Sequence, residues 1–149
     1  MPAVNFKKQF IFSVVNGTKL GTVRQVNRKR PIREGDILKM FTGMRTKQCH
    51  KHVEYKCVKV YPIKVNYKKH QIILDGVSLV PVIQHWFATT DGFNDSKVFF
   101  QFFKEQAYQR PTVWIVWQQE IVDMIDVYLL DMKSVKTQNF ASPLIQSTI

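Results

Sequence analysis

The sequence predicts an α+β domain in which short strands alternate with amphipathic helices. Three observations carry that expectation. Val53 to Val65 holds β-branched residues at strand density, and Asp75-Gly76 stands between two short apolar runs as a hairpin signal. Three stretches show helical periodicity: Phe6 to Val15, Val98 to Gln106 and Ile121 to Met132. The 149 residues suffice for one domain with a core, and 45% hydrophobic with 22% charged residues argue against a disordered chain.

In chain order, Asn5 can cap a first helix whose Phe6, Phe10, Ile11, Val14 and Val15 share one face. Alternation of Phe10, Phe12 and Val14 also fits a strand, and ranks second. Asn16-Gly17 reads as the helix C-terminus, because glycine accepts the left-handed conformation that closes a last turn. Lys19 to Arg24 is read as a strand. Asn27 to Arg33, dense in like charge and containing Pro31, is a solvated loop. Gly35-Asp36 turns into a strand from Ile37 to Phe41, followed by a second basic loop from Thr42 to His52. Pro62 divides the 53–65 run into two segments or marks an edge. Gln71 to Leu74 and Val77 to Leu79 form the hairpin, with a type I′ turn. Pro81 opens a short helix to Ala88, and Asp95 or Ser96 caps the next. Thr112 to Trp117 is the last strand. The 121–132 stripe forms a further helix, and the tail from Lys133 looks irregular.

The net charge of +11 is unevenly placed. Residues 1–70 hold 17 Lys and Arg against Glu34, Asp36 and Glu54, whereas residues 71–149 hold 5 against 8 acids. So basic a half attracts polyanions, of which nucleic acid is the commonest. No long basic amphipathic helix points to a membrane surface, and no apolar run is long enough to span one. Lys7-Lys8 before Phe10 to Val15 mimics a signal peptide, but the apolar run is too short. The chain is expected in the cytoplasm. Its two cysteines, Cys49 and Cys57, form no disulfide framework.

Parity poses a puzzle at Lys19 to Arg24. On a flat strand Lys19 and Thr22 point to opposite faces. A bulge at Gly21 would gather Lys19, Thr22 and Arg24 on one face; the alternative is a hairpin edge with solvated Lys and Arg. The order Gly17-x-Lys19-x-x-Thr22-x-Arg24 resembles the G-x-K-x-x-T-x-R signature of the ASCH domain family. Gly35-Asp36-Ile37-Leu38 with Phe41 to Lys47 resembles the second strand and loop of that family, above all in phage-encoded members. Phe87-Ala88-Thr89-Thr90-Asp91-Gly92-Phe93 resembles its turn before the last helix. The resemblance implies a small PUA-like mixed β-barrel with flanking helices over residues 1–117. Residues 118–149 are then a C-terminal helical extension packed on the same domain, and a phage-encoded chain would act in the host cytoplasm.

The leading functional expectation is binding of RNA, or of a modified nucleoside or nucleotide, in a basic cleft. Lys19, Arg24, Arg28, Lys29, Arg30, Arg33, Arg45 and Lys47 leave strand ends or loops near the signature, where they can meet phosphates. Tyr55, Tyr61, Trp86 and Phe93 can stack a base, although core packing is the better explanation of most of them. The alternative is a hydrolase using the same cleft. Some ASCH proteins hydrolyse the amide of acetylated cytidine and others are ribonucleases. In the amidohydrolases the signature Lys and Thr act with a downstream acid, here Lys19, Thr22 and Asp91. Neighbouring cations disfavour the ammonium form of such a lysine, which lets it act as a base, with Thr22 the nucleophile and Asp91 the proton donor. The amidohydrolases carry Glu where this chain has the shorter Asp91. No cofactor is implied. Cys49, His50, His52 and Cys57 lie within nine positions, but zinc needs converging pairs and these stand among lysines, so no metal is expected. Neither a nucleophile elbow nor a glycine-rich phosphate loop is present.

Overall fold

The structure is a computed structural model that describes residues 2–27, 29–106 and 108–141, with side chains to residue 135. Its order is β1 (Ala3–Phe6), α1 (Lys8–Val15), β2 (Gly21–Gln25), β3 (Ile37–Thr42), β4 (His50–Lys56), β5 (Lys59–Asn66), β6 (Gln71–Leu74), β7 (Val77–Ser78), α2 (Pro81–Thr90), α3 (Ser96–Gln106), β8 (Thr112–Val116) and α4 (Gln119–Ala141). The α+β expectation holds, but the barrel is open. A three-stranded sheet runs β1-β3-β4 and a five-stranded sheet β2-β8-β5-β6-β7. The corner between β4 and β5 joins them. Cys57 N–H donates to the Asp36 carbonyl of the small sheet at 2.7 Å, and Val58 N–H to the Val116 carbonyl of the large one at 2.8 Å. Two backbone bonds at a corner link the sheets without extending a ladder, so β2 and β7 remain edges.

The first element differs from the sequence reading. Residues 3–6 form a strand parallel to β3, with Val4 and Phe6 buried and Ala3 and Asn5 exposed. The helix starts only at Lys8, because Lys7 is extended (φ −66°, ψ 149°). Four alternating residues give too little pattern to separate a strand from a first helical turn, and the pairing with β3 decides. The second basic loop is also shorter than expected, since β4 begins at His50. Pro62 lies inside β5 rather than dividing two strands; the break falls at Cys57-Val58. In an antiparallel strand N–H and C=O of one residue face the same side. The Pro62 carbonyl takes the Asp75 N–H at 2.8 Å, so its missing N–H does not interrupt the β8 ladder.

Other local signals hold. Gly17 closes α1 at φ 83°, Asp75 and Gly76 make the hairpin turn at φ 49° and 82°, and Asp95 accepts from Val98 N–H at 2.9 Å as the cap of α3. Helix α4 runs to Ala141, past the Lys133 where an irregular tail was expected. No Gly or Pro interrupts residues 119–141, and the first breaker is Pro143. Residues 142–149 lie outside the described residues. Val122, Ile125 and Leu129 bury one face of α4, and Asp126 accepts from Tyr61 Oη at 2.6 Å and Lys59 Nζ at 2.9 Å.

Gly21 has φ outside the left-handed region; closeness is its constraint. A Cβ there would stand 2.5 Å from Trp114 Nε1 and 2.9 Å from the Ile115 carbonyl oxygen. Because one neighbour is backbone, the strand pair must shift to admit a methyl. Gly21→Ala is expected to destabilise by about 1–3 kcal/mol, the usual cost of overpacking, read as a lowered urea midpoint.

Candidate functional site

Lys19 lies before β2, so strand alternation does not govern it. Its N–H donates to the Ser13 carbonyl at the end of α1 (2.9 Å), and Leu20 N–H donates to Thr90 at the end of α2 (3.0 Å). These bonds clamp residues 19–20 between two helix ends and turn the lysine inward. Asp91 is the C-cap of α2, its N–H bonded to Phe87. Lys19 Nζ donates to both the carbonyl oxygen and the carboxylate of Asp91, the latter at 3.1 Å, and both side chains are 3% exposed. The rings of Phe10 and Phe93 lie 5.1 and 6.0 Å from the ammonium, a cation–π arrangement that replaces part of its lost hydration. Gly92 (φ 94°) is required for this approach, since a Cβ there would meet Lys19 Cδ at 3.1 Å.

The expected bulge at Gly21 is not formed. Gly21 to Gln25 pair with Val116 to Thr112 in unbroken register. Thr22 and Arg24 share a face by simple alternation, and Arg24 Nε donates to Thr22 Oγ1 at 3.1 Å. The guanidinium lies 4.8 Å over the Phe6 ring. Lys19 reaches the same region from outside the strand, so a clamp rather than a kink brings the three groups together. Among the described residues the Lys19 ammonium is bonded to Asp91 and not to Thr22, whose partner is Arg24.

Lys19, Thr22, Arg24 and Asp91 all line one cavity of about 160 Å³, walled by Phe10, Phe93, Phe102 and Tyr108. Burial sets its charge states. It lowers the Lys19 pKa, against Asp91, which raises it; it pushes Asp91 up to about 6, against Lys19 and then Arg24. Burial also raises the Tyr108 phenol, opposed by Arg24. Burial thus favours the neutral amine and the protonated carboxyl and narrows the gap between their proton affinities.

The remaining basic residues are more scattered. Arg30 lines an adjoining hollow of about 540 Å³ that shares Arg24 and Asn5 with the cavity but also contains Asp36. Lys29, Arg33, Arg45 and Lys47 are exposed and do not line the cavity. Arg28 lies outside the described residues. Asn5 accepts the Met44 N–H at 3.1 Å, tying the Arg45–Lys47 loop to β1 beside the site. Of the aromatics, Phe93 walls the cavity, Tyr55 stacks on Trp117 at 5.6 Å, and Tyr61 is buried against Asp126. Phe102 and Tyr108 were missed as site residues: Phe102 fits the helical stripe of α3, and nothing near Tyr108 distinguishes it from a loop tyrosine. Among the described residues no three His, Cys, Asp or Glu side chains stand together as a metal site. Cys57 is buried with its thiol pushed up to about 11, and His52 is bonded to Thr42 at 2.8 Å.

No protein-family model matches the sequence, and no curated protein matches it. Among solved structures, the crystal structure of hypothetical protein PH0355 is similar at 16% identity and a TM-score of 0.46, over 77% of this chain and 94% of that one. That likeness is too remote to carry function across.

Asp91 is expected to leave a pH signature. Its folded pKa, about 6, exceeds the ordinary 3.8, so between these values the folded protein holds a proton that the unfolded chain has lost. Its contribution is fully present below about 3.8 and is lost as pH rises through about 6. Lys19 acts in the opposite sense, its cost easing as pH rises toward 10.5. Urea unfolding across this range should show the acid-side decline in the wild type and a flatter profile in Asp91→Asn. Asp91→Ala, which leaves the buried ammonium uncompensated, should cost about 3–5 kcal/mol at neutral pH.

Proposed function

We infer that this chain binds RNA or a modified nucleoside by seating one base in the Lys19–Thr22–Arg24–Asp91 cavity. The observation that carries the reading is the cavity's make-up: Lys19, Thr22, Arg24 and Asp91, with Asn5, Lys7 and Gln106, line about 160 Å³ between aromatic walls. That is well below the several hundred Å³ of drug-sized pockets and suits one flat heteroaromatic ring. Phe10, Phe93 and Tyr108 offer faces and edges to such a ring. The Thr22 hydroxyl, with its lone pair engaged by Arg24, keeps its proton to donate to a base carbonyl. Lys7, an exposed cation in the cavity lining, and Arg30 in the adjoining hollow supply attraction for phosphate. The reading agrees with the ASCH resemblance and its PUA-like architecture, and the chain's place is then the cytoplasm.

A second reading is hydrolysis of an acylated cytidine, favoured by the proton affinities of Lys19 and Asp91. With Lys19 neutral and Asp91 protonated, the Thr22 oxygen attacks the acyl carbonyl and its proton passes to the Lys19 amine. The C–N bond then breaks, and the departing nitrogen takes the Asp91 proton. Water next attacks the Thr22 ester, giving a proton to the Asp91 carboxylate, while Lys19 returns its proton to the Thr22 oxygen; the acyl group leaves as the free acid and the hydroxyl is restored. Lys19 must leave Asp91 to reach Thr22, so substrate binding has to break the resting ion pair. RNA cleavage at the same cleft is the other hydrolytic reading that the resemblance allows.

Calorimetric titration with cytidine monophosphate and acetylcytidine tests both readings. Thr22→Val and Arg24→Met should each weaken binding about tenfold or more, as expected for loss of a charge-assisted hydrogen bond. Unchanged affinity in both variants removes the base-binding reading. Acetylcytidine turnover that vanishes in Lys19→Ala supports hydrolysis, and turnover equally absent from the wild type removes it.

A further inference from the structure

Two pockets outside the cavity adjoin it in series, each sharing wall residues with the one before. The first, of about 650 Å³, lies over β5 and β6 and shares Phe103 and Tyr108 with the cavity wall. The second, of about 520 Å³, shares Tyr67 with the first and is bordered by Lys68, His70, Lys97 and Lys104. No carboxylate lines either pocket. The two lining lysines of α3, Lys97 and Lys104, lie seven residues apart, two helical turns, so they share a face. Among the described residues neither they nor Lys68 has an acidic partner within ion-pair distance. The His70 ring is stacked on Phe100 at 4.8 Å, with His70 at φ 50°, so the ring is held at the pocket edge.

We propose that these pockets are a track for a single-stranded oligonucleotide, one base of which enters the cavity. The proposal rests on the base-binding reading and narrows its ligand to a strand of several nucleotides rather than a free nucleoside. Tyr108 stands between the cavity and the first pocket, so a strand can place consecutive bases on either side of it. Tyr67 offers a second aromatic group at the passage to the lysines. Alternation of aromatic stations with unpaired cations is what a strand of alternating bases and phosphates requires. A free nucleoside has no phosphate to meet Lys68, Lys97 and Lys104 of the second pocket. This track runs along α3 and the β5–β6 face, whereas the basic loops conspicuous in the sequence lie on the β1–β2 side. Lys97 and Lys104 belong to the half of the chain with the acidic balance, so charge counting hides them.

The test uses fluorescence anisotropy with a labelled short oligocytidylate, its deoxy counterpart, and cytidine monophosphate as competitor. The wild type should bind the oligonucleotides at least about tenfold tighter than the monophosphate. Lys97→Ala/Lys104→Ala, at exposed positions that do not hold the fold, should weaken oligonucleotide binding about tenfold. It should also reduce the slope of log affinity against log salt by about 1.4, from about 0.7 per phosphate contact on a single strand. Monophosphate affinity should stay within about twofold. A preference for the ribo-oligomer assigns RNA, and equal affinity assigns single strands whatever the sugar. Oligonucleotides no tighter than the monophosphate, or an unchanged affinity and salt slope in the double variant, overturn the track and leave the base seat standing. If Thr22→Val and Arg24→Met both leave each ligand's affinity unaltered, the base seat falls and the track with it.

Discussion

Everything at the centre of this protein depends on how a lysine and an aspartate 72 residues apart are buried together. Removing an ammonium and a carboxylate from water costs several kcal/mol each, and their attraction offsets this only with good geometry and extra partners. Here the partners are visible. The ammonium has the carboxylate, the Asp91 carbonyl and two ring faces. Backbone bonds from Lys19 to α1 and from Leu20 to α2 hold the stem, while Trp117 N–H donates to the Leu20 carbonyl at 3.2 Å. The pair therefore sits where both sheet and helices constrain it. A pair so placed is poor evidence of stability, because apolar residues of similar volume would serve as well or better. Its retention in a cavity wall, beside a hydroxyl and a guanidinium, is easier to understand as chemistry.

Local features were legible in the sequence wherever a single residue type satisfied a single geometric demand. Gly17, the Asp75-Gly76 turn and the Asp95 cap are of this kind, since each depends on neighbours within a few positions. The pairing of β1 with β3 was not legible. Parallel partners some 36 positions apart leave no local trace, and the short alternation of Val4 and Phe6 merges with the stripe of α1. Openness of the sheets escaped for the same reason: whether Cys57 and Val58 close a ladder or turn a corner depends on two carbonyls from distant strands. The length of α4 was underestimated although no helix breaker precedes Pro143; the apolar stripe fades after Met132, and the stripe rather than the absence of breakers set the expected end.

The site was legible in its members and not in its geometry. Lys19, Thr22, Arg24 and Asp91 do meet, but the bulge thought necessary to align them is absent. The period-2 argument was applied to a residue outside the strand, and a backbone clamp does what a kink was asked to do. Charge density misled in a different way. The arginine-rich loop dominates the composition, yet its described members are exposed, while of the three cations that line the cavity, Lys19 and Arg24 are largely removed from water and only Lys7 is exposed. Counting cannot separate a solvated charge from a buried one, because burial is decided by distant packing.

Arg24 links these observations. It borders both the small cavity and the hollow containing Arg30, lies against Phe6, and donates to Thr22. Transfer of one proton from Lys19 to Asp91 would convert the ion pair into a neutral amine and acid without changing the net charge of the cavity. Arg24 and Lys7 supply its fixed positive charge in either form. In the proposed reading, an anionic strand therefore meets constant attraction at the rim while the interior changes only its donors and acceptors. That separation has a physical consequence for selectivity. Phosphate attraction is long-ranged and insensitive to sequence, and it fades with salt. Discrimination between bases must come from the inner hydrogen bonds, which salt barely screens. A site whose fixed charge lies on Arg24 and the rim, and whose exchangeable proton lies on the Lys19–Asp91 pair, can bind strongly through one and choose through the other.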